Sequence, residues 1–152
     1  MAHPPFPIAR ILAPTDFTPL SHVAVLYAAR LAMGLGARVT IQHVLTTPNE
    51  MVGIVPGASV AEELETTRTI AEEQMNWIES EVRALGLALV ETAIDASSSP
   101  ARAILNRAAT ERASLIVLAT HGRSGLPRMF IGSVADVLIR TATCPVLTIR
   151  PD

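Results

Sequence analysis

The chain has 152 residues, 49% of them hydrophobic and 17% charged, which is the size of one domain with enough apolar surface to bury a core. That composition excludes a disordered segment. Aromatics make up only 3%, so the core must come from Ala, Val, Ile and Leu, as in a sheet covered by helices on both faces. The formal net charge of −2, without a basic stripe, argues against nucleic acid as a partner. Apolar runs such as Leu115 to Thr120 are too short to cross a bilayer.

The first residues, Met1 to Arg10, hold three prolines and no cationic stretch leading into an apolar one. They do not read as a signal peptide, and a cytoplasmic location is expected. A single cysteine, Cys144, excludes an internal disulfide and a multi-cysteine metal site. Beside Pro145 it reads as a small hydrophobe, with a redox-sensing thiol as the alternative.

In chain order, Ile8 to Ala13 predicts a first strand that stops at Pro14-Thr15-Asp16. Thr18 followed by Pro19 offers an N-cap and a first-turn proline. Leu20, Ala24, Ala28, Leu31 and Leu35 follow at helical spacing, with Gly34 and Gly36 ending the helix. Arg38 to Leu45 predicts a second strand. Thr46 to Ala58 has no clear period and is long enough for a lid or binding loop. Ser59 and Glu62 make a capping box for a long helix whose face is Leu64, Ala71, Met75, Ile78, Val82 and Leu85, closed by Gly86.

Leu87 to Ile94 predicts a third strand, and Ser99-Pro100 opens a third helix running to about Arg112. Leu115 to Thr120 has the unbroken apolar run of a central parallel strand. After the loop His121 to Gly132, Ser133 starts a fourth helix with Val134, Val137, Leu138 and Thr141 on one side. Pro145 to Ile149 supplies a fifth strand. This β-α alternation predicts one α/β domain over residues 1–152: an open five-stranded parallel sheet with right-handed crossovers and helices on both faces.

Ligands of such sheets bind outside the carboxyl ends of the strands, where the strand order reverses. Two segments there are rich in chemistry: Pro14-Thr15-Asp16 after strand 1, and Thr120 to Gly125 after strand 4. A strand order of 3-2-1-4-5 brings them to one crevice. The helix starting at Gly132-Ser133 offers unpaired amides and a hydroxyl to an anion. Glycines 122, 125 and 132 allow close backbone approach, and Arg123 and Arg128 add charge. The same loop also fits a plain turn, because neither a P-loop nor a Gly-x-Gly-x-x-Gly fingerprint is present. Asp16 suits either a cap for the first helix or an acceptor for ribose hydroxyls, and the residues alone leave both open. His43, inside a strand, reads as a hydrogen-bonded structural residue, and with His121 it makes no metal site.

Ile11-Leu12-Ala13-Pro14-Thr15-Asp16-Phe17-Thr18, the loop Thr120 to Leu126 with Gly132-Ser133-Val134-Ala135, and the ending Cys144 to Arg150 fall in one order along nearly the whole chain. Together they resemble the universal stress protein family. The resemblance implies a Rossmann-like sheet of the adenine nucleotide alpha-hydrolase type in the order 3-2-1-4-5. It also implies a homodimer paired through the last strand, Val146 to Arg150. In the ATP-binding branch of that family, Asp16 would hold the ribose and the backbone of Val44 the adenine. Pro14 and Thr15 would flank them, while His121, Gly122, Arg123, Gly132, Ser133 and Val134 would surround the phosphates. The implied cofactor is ATP, with or without Mg2+. Two positions depart from the family pattern: Ala119 stands where the loop has its first glycine, and Ser98 where many relatives carry glycine.

The expected function is therefore an ATP-binding regulatory module of the stress response with little or no hydrolysis, and not an enzyme. Two alternatives remain: a nucleotide-free dimeric protein acting through protein–protein contacts, which Ala119 keeps open, and a slow ATPase. No side chain pairs with another as nucleophile and base in the sequence pattern.

Overall fold

A computed structural model of the chain describes residues 7–47, 60–121 and 132–150. Within them the elements run β1 (Arg10–Pro14), α1 (Pro19–Leu35), β2 (Arg38–Thr46), α2 (Val60–Ala84), β3 (Val90–Ser97), α3 (Pro100–Glu111), β4 (Leu115–Ala119), α4 (Ser133–Thr141) and β5 (Val146–Ile149). The strands form one parallel sheet in the order β3-β2-β1-β4-β5, as expected. Of the predicted loop and capping box, residues 48–59 lie outside the described residues.

Alternation along the strands divides the interior into two layers. Ile11 and Ala13 on β1, with Val39 and Ile41 on β2, face α1 and α2, where they meet Val25, Ala28, Ala29, Met75, Ile78 and Val82. Leu12, between them, points to the other face with Ile116 and Leu118, under Ile104 of α3 and Leu138 of α4. Local sequence sets the helix ends. Thr18 accepts from Ser21 N at 3.3 Å at the start of α1, and Ser99 accepts from Arg102 N at 3.4 Å at the start of α3, each followed by a proline that needs no partner for its nitrogen. Gly36, at φ 66°, turns the chain out of α1 in the left-handed region that glycine adopts without a steric cost. Gly34, expected to share that task, lies inside the helix.

Three expectations from periodicity need correction. The third strand begins at Val90, not Leu87, and continues to Ser97. Leu87 is buried before the strand starts, whereas the polar residues Asp95 and Ser97 are carried in the ladder by pairing with Val44 and Thr46. The buried side of α1 is made of small residues, Ser21, Ala24, Val25, Ala28, Ala29 and Ala32, with Leu35 left 49% exposed. On α4 the buried residues are Ala135 and Leu138, and Val137 faces outward.

Opposite the alanine-rich α1, the α3 face carries a polar network. Arg107 grips both oxygens of Asp95, at 2.6 Å from Nη2 to Oδ1 and 3.1 Å from Nε to Oδ2, and also reaches Glu111 at 3.3 Å. Thr40 Oγ1 donates to Glu111 Oε2 at 2.6 Å, and Gln42 Nε2 donates to Asp95 Oδ2 at 2.8 Å. Burial alone raises the Asp95 pKa, but hydrogen bonds from Arg107 and Gln42 and the charges of Arg107 and Arg68 outweigh it and hold the carboxyl below its ordinary 3.8.

A depressed carboxylate contributes stability that is present above its unfolded value and is lost as the pH falls through the lower folded value. Asp95→Asn should therefore be less stable than the parent at neutral pH. The gap should narrow as the pH drops below 3.8. Urea titrations between pH 7 and pH 3 read this directly, and a gap that stays constant across that span contradicts it.

Candidate functional site

β1 lies between β2 and β4, so the chain leaves it in one direction toward β2 and returns on its other side at β4. The crevice above that divide is a cleft of about 480 Å³, within the span of roughly 300–1,000 Å³ usual for small-molecule sites. Pro14, Thr15, Asp16, Val44, Ala119, His121, Gly132, Ser133 and Val134 all line it. The other two expected site residues, Gly122 and Arg123, lie outside the described residues.

The turn after β1 is fixed by Thr15, which uses every polar atom it has. Its N–H donates to Gln42 O at 2.8 Å, and its carbonyl accepts from His43 Nδ1 at 2.8 Å. Its hydroxyl accepts from Phe17 N at 3.1 Å and donates to Ser21 Oγ at 3.0 Å, since Ser21 gives its own proton to Thr18 O. Phe17 is held at φ 63°, in the left-handed region that a bulky residue rarely enters, and its ring stacks on His43 with centroids 4.2 Å apart. His43 is thus the hydrogen-bonded structural residue expected, and it is also a wall of the cleft.

Of the two roles that the sequence left open for Asp16, the structure shows the first, as a brace for the cap and not as the cap itself. Thr18 is the N-cap of α1, and Asp16 Oδ1 braces it by accepting from Thr18 N at 3.1 Å and Thr18 Oγ1 at 2.5 Å. Its carboxylate also lines the cleft.

On the other bank, β4 ends at Ala119, which remains in strand register with Ile149. Its backbone is that of an ordinary extended residue, so alanine in place of glycine costs the chain little there, and the residue belongs to the lining. Thr120 then gives its hydroxyl proton to Ile149 O at 3.2 Å and receives the Nδ1–H of His121 at 2.9 Å. That leaves His121 Nε2 buried without a partner.

α4 starts at the cleft with no side chain capping it. The amides of Ser133, Val134 and Ala135 open the helix and have no acceptor within it, so the positive end of the helix dipole faces the cavity. At Gly132 the close approach that the structure shows is to the chain's own backbone. The Gly132 N–H donates to Thr120 O, and a Cβ built on this residue would stand 2.9 Å from that same carbonyl. The missing side chain makes room for the protein's own backbone, which brings the helix terminus against the end of β4.

Periodicity gave no pointer to several other walls: Phe17, Gln42, Ile70 and Gln74 among them. Gln42 did leave a trace, as a polar residue in the middle of an apolar strand. Its side chain is completely buried.

An open parallel sheet with its cleft over the divide between β1 and β4 defines the doubly wound class of nucleotide-type α/β folds. Residues 7–150 match the model of the universal stress protein family, and the chain belongs to that family. It is 31% identical over 158 aligned positions to the universal stress protein YxiE of Bacillus subtilis, across 93% of this chain and 98% of that protein. The solved UspA of Lactobacillus plantarum superposes with a TM-score of 0.82 at 23% identity, over 94% of this chain and 98% of that one. A universal stress protein of Archaeoglobus fulgidus, solved in complex with dAMP, gives a TM-score of 0.65 at 23% identity, over 94% and 98%. At those identities the two structures speak to the fold.

Because the contact at Gly132 is with backbone, it has no cheap relief. Gly132→Ala is expected to destabilise the protein by about 1–3 kcal/mol in urea unfolding, with or without any ligand. An unchanged midpoint would mean that the α4 terminus yields freely.

Proposed function

We propose that this chain is a regulatory module that binds an adenine nucleotide, ATP by preference, and hydrolyses it little or not at all. One observation carries this reading: a carboxylate suited to ribose, Asp16, and an uncapped helix terminus suited to phosphate, at Ser133, stand on opposite banks of one cleft. In this reading Val44 takes the base and Ser133 and Val134 take the phosphates, with Gly122 and Arg123 assigned to the phosphates from sequence. Among the described residues there is no group of three or more His, Cys, Asp or Glu that could hold a metal, so in this reading Mg2+ arrives on the triphosphate. The dAMP complex of a family neighbour agrees with an adenine ligand, although at 23% identity it lends no more than the fold. A cytoplasmic location belongs to the same reading.

Thr120 and His121 speak against transfer of a phosphoryl group to this chain. Their hydroxyl–imidazole pair has the look of a nucleophile and base, but Thr120 is 2% exposed and its proton is committed to Ile149 O. A buried, committed hydroxyl cannot attack a phosphate. Ala119 in the lining of the cleft favours the second reading, a nucleotide-free protein that works through its partners.

We also assign the free edge of β5 to a homodimer. Pro145 O and Ile149 O both accept from β4-side amides, so the intervening residues Val146 and Thr148 turn their backbone groups away from the sheet. All four residues of β5 are only partly buried.

Calorimetry with ATP and Mg2+ tests the first proposal. The parent protein should bind without accumulating ADP. Ser133→Asp, which places a carboxylate at the first turn of α4, should keep or raise the melting temperature of the ligand-free protein while weakening ATP about tenfold or more. No binding by the parent at millimolar ATP leaves the nucleotide-free reading, and ADP appearing with time leaves the ATPase.

For the edge, Thr148→Pro removes an outward N–H and spares the β4 ladder, a substitution that edge strands tolerate. It should convert a dimer to a monomer in light scattering. An unchanged mass would place the interface elsewhere.

A further inference from the structure

Large apolar side chains stand in water on the outside of α1 and α2. Trp77 on α2 is 61% exposed, and Ile70 on the same helix, with Val23 and Tyr27 on α1, is about as open. Ile70 and Trp77 are seven residues apart and Val23 and Tyr27 four, so each pair keeps to one side of its helix. The α2 row faces α1, because the indole of Trp77 stacks on His22 with ring centroids 5.3 Å apart. His22 is held in turn by Glu81, whose Oε2 lies 2.9 Å from its Nε2. An exposed indole resting on a ring that is itself fixed offers a large contact area with little freedom left to lose, which is the character of an interface anchor.

Acid flanks the seam. Glu63 comes seven residues before Ile70, Glu73 three after it, and Glu81 four after Trp77, so acidic and apolar side chains alternate along one side of α2. Glu63 and Glu73 are exposed and form no ion pair among the described residues. Over the two helices seven glutamates stand against three arginines, and one of these, Arg83, is bound to Glu79 at 2.8 Å.

That charge decides the occupant. An anionic membrane surface is repelled by it. A second copy that laid the same surface against itself would set glutamate against glutamate. A basic segment meets opposite charge along the whole row. We propose that the seam between α1 and α2 docks a basic amphipathic helix of another protein, with its apolar side on Trp77, Ile70, Val23 and Tyr27 and its cations toward Glu63 and Glu73. The proposal does not depend on the nucleotide reading, although Ile70 also lines the cleft and makes the two surfaces adjoin.

The test uses the full chain and a capped peptide of about 18 leucine and lysine residues, long enough to be helical, with leucine on one helical face. Trp77 is the single tryptophan of the chain and the peptide has none, so the emission reports the seam alone. It should shift to the blue and saturate on titration. Calorimetry should give an affinity about tenfold or more above that of a scrambled peptide of the same composition. Trp77→Ala should weaken the amphipathic peptide about tenfold or more. Glu63→Lys combined with Glu73→Lys should weaken it as much while leaving the melting temperature of the protein unchanged.

Equal affinity for the scrambled peptide overturns the proposal, and so does full binding by the charge-reversed variant. A blue shift with vesicles of phosphatidylcholine and phosphatidylglycerol, in place of the peptide, overturns it in favour of a membrane. A mass that halves in light scattering on Trp77→Ala overturns it in favour of a second copy of the chain.

Discussion

The cleft depends on Thr15. Placed one residue beyond β1, it extends the pairing with β2 through Gln42, receives the His43 ring, and ties Phe17 and Ser21 into one turn. No other residue could do this without both a β-hydroxyl and a buried position, and Thr15 is 5% exposed. The strain at Phe17 is sustained by these bonds and by its stack on His43. Asp16, caught between Thr15 and the capped start of α1, therefore has its direction set by neighbours on both sides.

The two faces of the sheet solve burial differently. On the α1 side, alanines bring a helix close to the strands, and Ser21 is the buried polar side chain of α1, bonded to Thr15 and Thr18. On the α3 side, Thr40, Gln42, Asp95, Arg107 and Glu111 form a connected set in which nearly every donor meets an acceptor. Such sets contribute less to stability than their bond count suggests, because each charge gives up water to enter. What they supply is a fixed orientation, and the exception left unsatisfied in this set is Gln42 Oε1.

Much of this fold was legible from sequence because a parallel sheet writes each strand as a short apolar run and each crossover as a helical period. Strand order and all nine elements follow from that pattern and the family motifs. Errors came where pairing, not hydrophobicity, decides. Asp95 and Ser97 look like a loop but have β2 beside them. On α4, Leu138 is buried as its stripe predicts, but packing in the α3-side layer buries Ala135 beside it and leaves Val137 facing outward. Pro14 to Asp16 and Gly132 to Val134 could be assigned to one site by residue type. Phe17 and Gln42 could not, since their importance lies in a backbone angle and in a bond to a residue 53 positions distant.

The margins of the sheet are unlike. At β3, Arg38 bridges to Glu91 and Arg107 to Asp95, so that ends of the strand carry charge that a second sheet would have to desolvate. At β5 the strand is Val-Leu-Thr-Ile, with no charged side chain at all. Charge therefore marks one margin of the ribbon and leaves the other apolar. Two copies meeting at their β5 margins would present only β3 to the outside, a strand whose Glu91 and Asp95 put charge beside any further strand that joined it.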